Sequence, residues 1–250
     1  MHRDNLIAFL DDYLRVDDFN DDCPNGLQVE GKSTLNTVIT GVSASVRLFE
    51  EAIKQRADAI IVHHGIIWNF ARPLYRGGYK ERIRLLLENQ INLLAYHLPL
   101  DAHEKIGNNA RLASLLDLQN ISTFGQYKGQ LVGVKGETGG IDKQRFFSMI
   151  RDLVKREPLI FDYGPDMIST VGIVSGGAQK DINQAVAAGL DLFLTGEVSE
   201  HNLWYAQEEG IHFVSAGHYA TEKFGVIALG ELLEKEFKIN TSFIDVFNPV

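Results

Sequence analysis

One cysteine in 250 residues, Cys23, rules out a disulfide within the chain, and with it the stapled architecture of small secreted domains. No apolar run approaches the roughly 18 residues that a membrane-spanning helix needs. No basic cluster exceeds two residues and the formal charge is −9, which disfavours a broad phosphate-binding surface for nucleic acid. The opening residues, Met1-His2-Arg3-Asp4-Asn5-Leu6, carry an acid at once and lack the basic-then-apolar layout of a signal peptide, so the cytoplasm is the expected compartment. There is no Walker-type glycine loop and no dinucleotide fingerprint. Gly172-Ile173-Val174-Ser175-Gly176-Gly177 is glycine-rich but matches neither pattern and reads as a tight turn. A nucleotide would have to be held by loop contacts that leave no motif.

What is present is the balance of an ordinary soluble globular protein, 45% hydrophobic and 23% charged, with room for one large domain or two of about 125 residues. A helix is predicted from Asp4 to Leu14, with Leu6, Ile7, Leu10 and Leu14 at helical spacing. A polar loop follows from Asp17 to Gly31. The chain then alternates in the manner of an α/β protein. Strands are predicted at Thr37–Val42, Ala59–Val62 and Asn92–Tyr96, and helices at Val46–Arg56, Lys80–Asn89 and Asn108–Leu116. A glycine-rich stretch from Gly125 to Gly140 marks a boundary, which gives a first lobe over 1–125 and a second over 126–250. After the helix Lys143–Lys155 the same order returns, with Val171–Gly176 matching Ile39–Ser43 and Leu190–Leu194 matching Ala57–Val62. The offset is 132 residues at Val42 and Val174 and 121 at His97 and His218. The fold class is therefore α/β, two similar lobes with helices flanking the mixed sheets and an internal pseudo-duplication. A last strand at Thr241–Val246 returns the chain to a sheet.

In both halves an apolar strand ends in side chains that bind metals. Val62 is followed by His63-His64-Gly65, and Tyr96 by His97-Leu98-Pro99-Leu100-Asp101. The second half has His218-Tyr219-Ala220-Thr221-Glu222. Sites in such sheets form beyond the carboxyl ends of strands. Successive side chains in an extended segment point to opposite sides, so His63 and His64 suit two different metals, with Asp101 able to bridge. His218 and Glu222 share a face if a helix begins there. Burying two imidazoles without partners is costly, which weighs against the plain alternative of polar loop histidines. Histidine and carboxylate without thiolate favours Zn, Mn, Fe or Co as two divalent ions per chain. His97 reads as a ligand, a supporting residue or a substrate contact. Glu197, after Leu194-Thr195-Gly196, takes the place of the histidine pair in the second half, as a ligand, a general base or simply a helix cap. His97 and Glu197 are the candidate proton shuttles. Asn25 and His201 are candidate substrate contacts, although Asn25-Gly26 is first a turn signal and His201 is as well explained as a surface residue.

The chain resembles the dinuclear-metal proteins called GTP cyclohydrolase I type 2 homologues, the NIF-three-like family, in its short bacterial form. The matching stretches are Pro24–Gly31, Ile61–Gly65, His97–His103, Gly107–Asn109, Leu194–Glu197 and Gly217–Glu222, in family order across nearly the whole chain. The resemblance implies a two-metal site of His63, His64, Asp101, His218 and Glu222 in the cleft between two similar lobes, and a ring-shaped homohexamer. The family name implies a metal-dependent hydrolase that opens the ring of a purine nucleotide, while a two-metal centre would suit a phosphoester or an amide equally well. The alternative is a metal-binding, metal-delivery or regulatory ring protein without turnover.

Overall fold

Ala59-Ile60-Ile61-Val62 is apolar without alternation, the pattern of a strand covered on both faces, and the strand Ala59–His64 is buried over its first five residues. It lies at the centre of the first of two sheets in the computed structural model, which describes residues 1–72 and 74–250. In chain order the first unit contributes α1 (Arg3–Tyr13), β1 (Gly26–Val29), β2 (Thr37–Ser43), α2 (Val46–Lys54), β3 (Ala59–His64), α3 (Gly77–Glu88) and β4 (Asn92–Ala95). β2, β3 and β4 are parallel, β1 pairs antiparallel with β4, and the last strand of the chain, Asn240–Phe243, lies parallel to β2. Ser45 caps α2 by accepting from the Leu48 amide at 3.2 Å. Leu48, Phe49 and Ala52 of that helix join Ile39, Ile60, Val62 and Leu93 in the core. β1 lies inside the segment expected to be a polar loop. Its residues alternate poorly, and it becomes a strand because β4 offers an open edge whose backbone groups need partners.

α4 (Leu98–Ala102) leads into the second unit, followed by α5 (Asn108–Leu115), β5 (Gln119–Tyr127), β6 (Gln130–Asp142), α6 (Lys143–Val154), β7 (Leu159–Phe161), β8 (Met167–Ile173), α7 (Ile182–Ala187), β9 (Leu192–Thr195), α8 (His201–Glu209), β10 (His212–Ser215) and the start of α9 (His218–Phe237). Its six strands are ordered β5-β6-β8-β9-β10-β7. Phe146, Phe147 and Ile150 of α6 pack with Val171, Ile173, Leu192, Leu194 and Val214. The glycine-rich stretch expected to separate the halves at 125/126 is a hairpin instead. Tyr127 pairs with Gln130 across Lys128 and Gly129, both at positive φ, the two-residue turn whose twist matches a hairpin. Since β6 pairs with β8, this hairpin belongs wholly to the second sheet. The compact units are Met1–Leu100 with Gly225–Phe247, and Asp101–Phe224 with Asn248–Val250.

The pseudo-duplication is present, shifted by one residue from the sequence matching. Within the first sheet the order β1-β4-β3-β2 repeats as β7-β10-β9-β8 in the second. Asp58 and Asp191 hold equivalent places: each backbone amide donates to a β2 or β8 carbonyl, Thr37 or Thr170, and each carboxylate receives two amides from the start of that strand. Strand register then sets Val38 against Val171 and Ala59 against Leu192, so Val174 matches Gly41 rather than Val42. Likewise Asn92 matches His212, and His97 falls on Gly217 rather than on His218. The equal four-residue spacing of His97–Asp101 and His218–Glu222 is therefore not a structural repeat, whereas Glu197 does occupy the position of His64.

Candidate metal-binding groups

In the first unit β3 ends on His63 and His64 while β4 leads to His97, and the parallel pairing brings these two strand ends together. One ring nitrogen from each of His63, His64 and His97 falls within 4.8 Å of the others. His63 is fully buried, and its Nδ1 lies 3.0 Å from the Tyr96 carbonyl. A carbonyl only accepts, so Nδ1 carries the hydrogen and the lone pair resides on Nε2, the arrangement that orients metal-ligating histidines. His97 Nδ1 lies 2.8 Å from Asp21 Oδ1 and is fixed in the same sense. His64 Nδ1 meets the Ser43 hydroxyl at 3.0 Å. The side chain of Trp68 closes one side, its ring centroid 5.2 Å from that of His97 and 6.0 Å from that of His64.

Asp21 is the support that sequence reading missed. Its carboxylate takes the His97 ring, the Asn25 side-chain amide, and the backbone amides of Cys23 and Leu98. Burial alone would raise its pKa, but the His97 hydrogen bond and charge and then the two amides outweigh this and lower it to about 2. Asn25 uses its Oδ1 to accept from the His97 backbone amide at 2.8 Å. It is thereby part of the frame that positions His97.

The second unit carries a carboxylate-rich group. Asp101, buried on α4, accepts from the Asn108 side chain at 2.8 Å and the Ser175 hydroxyl at 3.1 Å. His218 opens α9, with its Nδ1 2.7 Å from Glu197 Oε1 and its Nε2 3.1 Å from Glu222 Oε2. Burial works against an imidazolium there, but Glu222 and then Glu197 stabilise it and raise the His218 pKa to about 9. Gly176 makes room for this pair: it has φ +67°, and a Cβ there would fall on Glu222 Oε1. Asp101 and the His218–Glu222 pair thus each have defined partners, while His201 is exposed at the start of α8 and makes no hydrogen bond to either group.

These observations define an α/β protein of two sheets bearing histidine and carboxylate groups of the kind that hold metal ions. Comparison with known proteins gives the family: a Duf34/NIF3 (NGG1p interacting factor 3) family profile matches residues 1–249, and the chain belongs to it. A Haemophilus influenzae protein named GTP cyclohydrolase 1 type 2 homolog is 46% identical, with all of both chains covered. A solved structure described as protein ybgI, of unknown function, superposes with a TM-score of 0.93 at 42% identity over 100% of both chains. TTHA1606 from Thermus thermophilus gives 0.91 at 36% identity, also over 100% of both.

Proposed function

We propose that this protein is a metal-dependent hydrolase in which His63, His64, Asp101, His218 and Glu222 hold two divalent cations, Zn, Mn, Fe or Co. The observation that carries the reading is the preorientation of imidazoles: His63 is locked by a carbonyl with its lone pair on Nε2, beside His64 and His97. A buried imidazole fixed in this way is poised to donate to a cation. The donors fit such a centre, since His63 and His64 supply imidazole nitrogen, as would His218 on giving up its proton when a cation binds, while Asp101 and Glu222 supply the anionic oxygen that divalent ions require. When bound, the cations supply Lewis-acid polarisation and acidify water at the site.

The remaining chemistry falls to the chain. Glu197 holds the His218 ring through Nδ1, and that carboxylate is placed to take up a proton released in the reaction. His97, backed by Asp21 at 2.8 Å, is the second candidate proton carrier, the arrangement in which a carboxylate steadies an imidazole that shuttles a proton. The small-molecule substrate is a purine nucleotide or a phosphoester, the first supported by the name that the relatives carry. The ring-shaped homohexamer that the family resemblance implies belongs to the same proposal, and light scattering in solution tests it.

The test is turnover by protein loaded with each of the four metals, offered GTP and simple phosphoesters, with released formate and phosphate measured against a His64→Ala variant. Metal-dependent release by the parent chain alone supports the hydrolase. Metal uptake with no release beyond that of the free ion leaves a metal-binding or delivery protein.

A further inference from the structure

The second unit has a cavity of about 320 Å³ lined by Arg156, Gly196, Glu197, Val198, Ser215, Gly217 and Val250. That volume is in the range of small-molecule sites, roughly 300–1,000 Å³. Two of its walls are parts of the carboxylate-rich group: Glu197 itself, and Gly217, the residue before His218. The cavity also contains a cation that the mechanism above does not use. Arg156 spends one guanidinium hydrogen bond on the Pro249 carbonyl, at 2.7 Å, and among the described residues no carboxylate pairs with it. Its position is built rather than incidental. Gly217 has φ +98°, and a Cβ there would collide with the guanidinium, so the arginine is packed directly on the backbone that leads into His218.

The two carboxylates that share the cavity, those of Glu197 and of Val250 at the end of the chain, are already engaged, the Val250 oxygen accepting the Tyr219 amide at 2.9 Å. Glu197 directs Oε1 to the His218 ring at 2.7 Å and Oε2 to the Gln179 amide at 3.3 Å. Ser215 likewise directs its hydroxyl inward, to the Gly196 carbonyl at 2.8 Å. The guanidinium therefore supplies the cavity's positive charge, with most of its five donors available to a ligand. A planar fork of this kind binds oxyanions in bidentate fashion.

The geometry points to Arg156 as the residue that binds the anionic group of the substrate, a phosphoryl or carboxylate oxyanion, and thereby places the reacting part of the molecule beside His218 and Glu197. This deepens the hydrolase reading and rests on it. Arg156 touches substrate but takes no part in proton transfer.

Isothermal titration with inorganic pyrophosphate and with succinate tests the assignment, on the full-length parent chain, Arg156→Gln and Arg156→Lys, each in metal-loaded and chelator-treated form. Metal content and melting temperature are measured on the same samples. The expected result is that Arg156→Gln weakens binding of at least one anion by about tenfold to a hundredfold, the loss of a charge-assisted hydrogen bond. Arg156→Lys should fall between the two, with metal content unchanged. The anion that suffers the larger loss identifies the group. No binding of either anion by the parent chain, or affinities within twofold across the series, would overturn the assignment. A lower melting temperature with unchanged affinity would likewise reduce Arg156 to a clamp on the segment 248–250. A parent chain that takes up no metal defeats the hydrolase reading instead, and the chelator-treated titrations still report on Arg156.

Discussion

Replacing Asp58 with alanine should destabilise the first unit by about 2–4 kcal/mol. The carboxylate is buried in the turn that precedes β3, where Oδ2 accepts the Asn36 amide at 2.9 Å and the Thr37 amide at 3.2 Å. Each amide left without an acceptor costs about 1–3 kcal/mol, partly recovered where water enters. The ion pair with Lys32 adds little, because the lysine side chain is 45% exposed and exposed pairs contribute roughly 0–1 kcal/mol. For a chain of this size the loss corresponds to a fall in melting temperature of roughly 5–15 °C, measured by circular dichroism or calorimetry. Lys32→Ala serves as the control and should stay within about 0.5 kcal/mol of the parent. The pH dependence has a definite sign. Burial raises the Asp58 pKa, but the Asn36 amide, Lys32 and the Thr37 amide outweigh it and leave the carboxyl below its ordinary range. The folded chain then binds this proton less readily than the unfolded one, so the stabilisation is present above the ordinary carboxylate pKa of about 3.9 and disappears as the pH falls through the folded value. The gap between parent and variant should close in acid. A variant as stable as the parent at pH 7, or a gap that widens on acidification, would refute the reasoning.

Other consequences are as direct. Asp191→Ala removes the acceptor of the Ser169 and Thr170 amides and should cost the second unit a similar amount; an effect below about 0.5 kcal/mol would deny the equivalence of the two turns. Gly176→Ala places a methyl on Glu222 at a left-handed position, so the protein should fold with about 1–2 kcal/mol of strain yet lose most of its metal uptake, read by titration with Mn or Zn; normal uptake would mean that Glu222 is not a ligand. Cys23 is fully buried, and burial above all pushes its thiol up to about 11, so it should resist a disulfide reagent at pH 8 and react at once in urea. Equal rates in both states would contradict the placement of this residue.

Much of the architecture was legible because β2, β3 and β4 are parallel strands buried on both faces and announce themselves as unbroken apolar runs. β1, β5, β6 and β7 did not, for a common reason: each pairs at or toward a sheet margin, where neighbouring strands and turns decide the structure more than side-chain periodicity does. The opening stretch of β5, Gln119 to Thr123, is exposed throughout, and β7 has three residues. The length of α9 was hidden as well, since Gly225 and Gly230 interrupt a sequence that is apolar on too many sides to show a single face. The site divided along similar lines. Histidines at strand ends stand out because an apolar run delivers them to one place. Asp21, Ser43 and Ser175, which hold His97, His64 and Asp101 in position, are ordinary polar residues without a pattern of their own, and Asn108, although inside the matching stretch Gly107–Asn109, showed no role until the fold set it against Asp101. The one-residue slip in the duplication has the same origin. Matching histidine to histidine aligns chemistry, whereas the hydrogen bonds of Asp58 and Asp191 align backbone.

The central claim is that these histidines and carboxylates bind metal. The decisive measurement is metal content per chain, by plasma mass spectrometry on protein purified without chelator and again after reconstitution with Mn, Zn, Fe or Co, for the parent chain and His64→Ala. The account predicts about two divalent ions per parent chain, and loss of at least one in a variant that keeps its fold. No metal in the parent chain after reconstitution, or unchanged content in the variant, would contradict it.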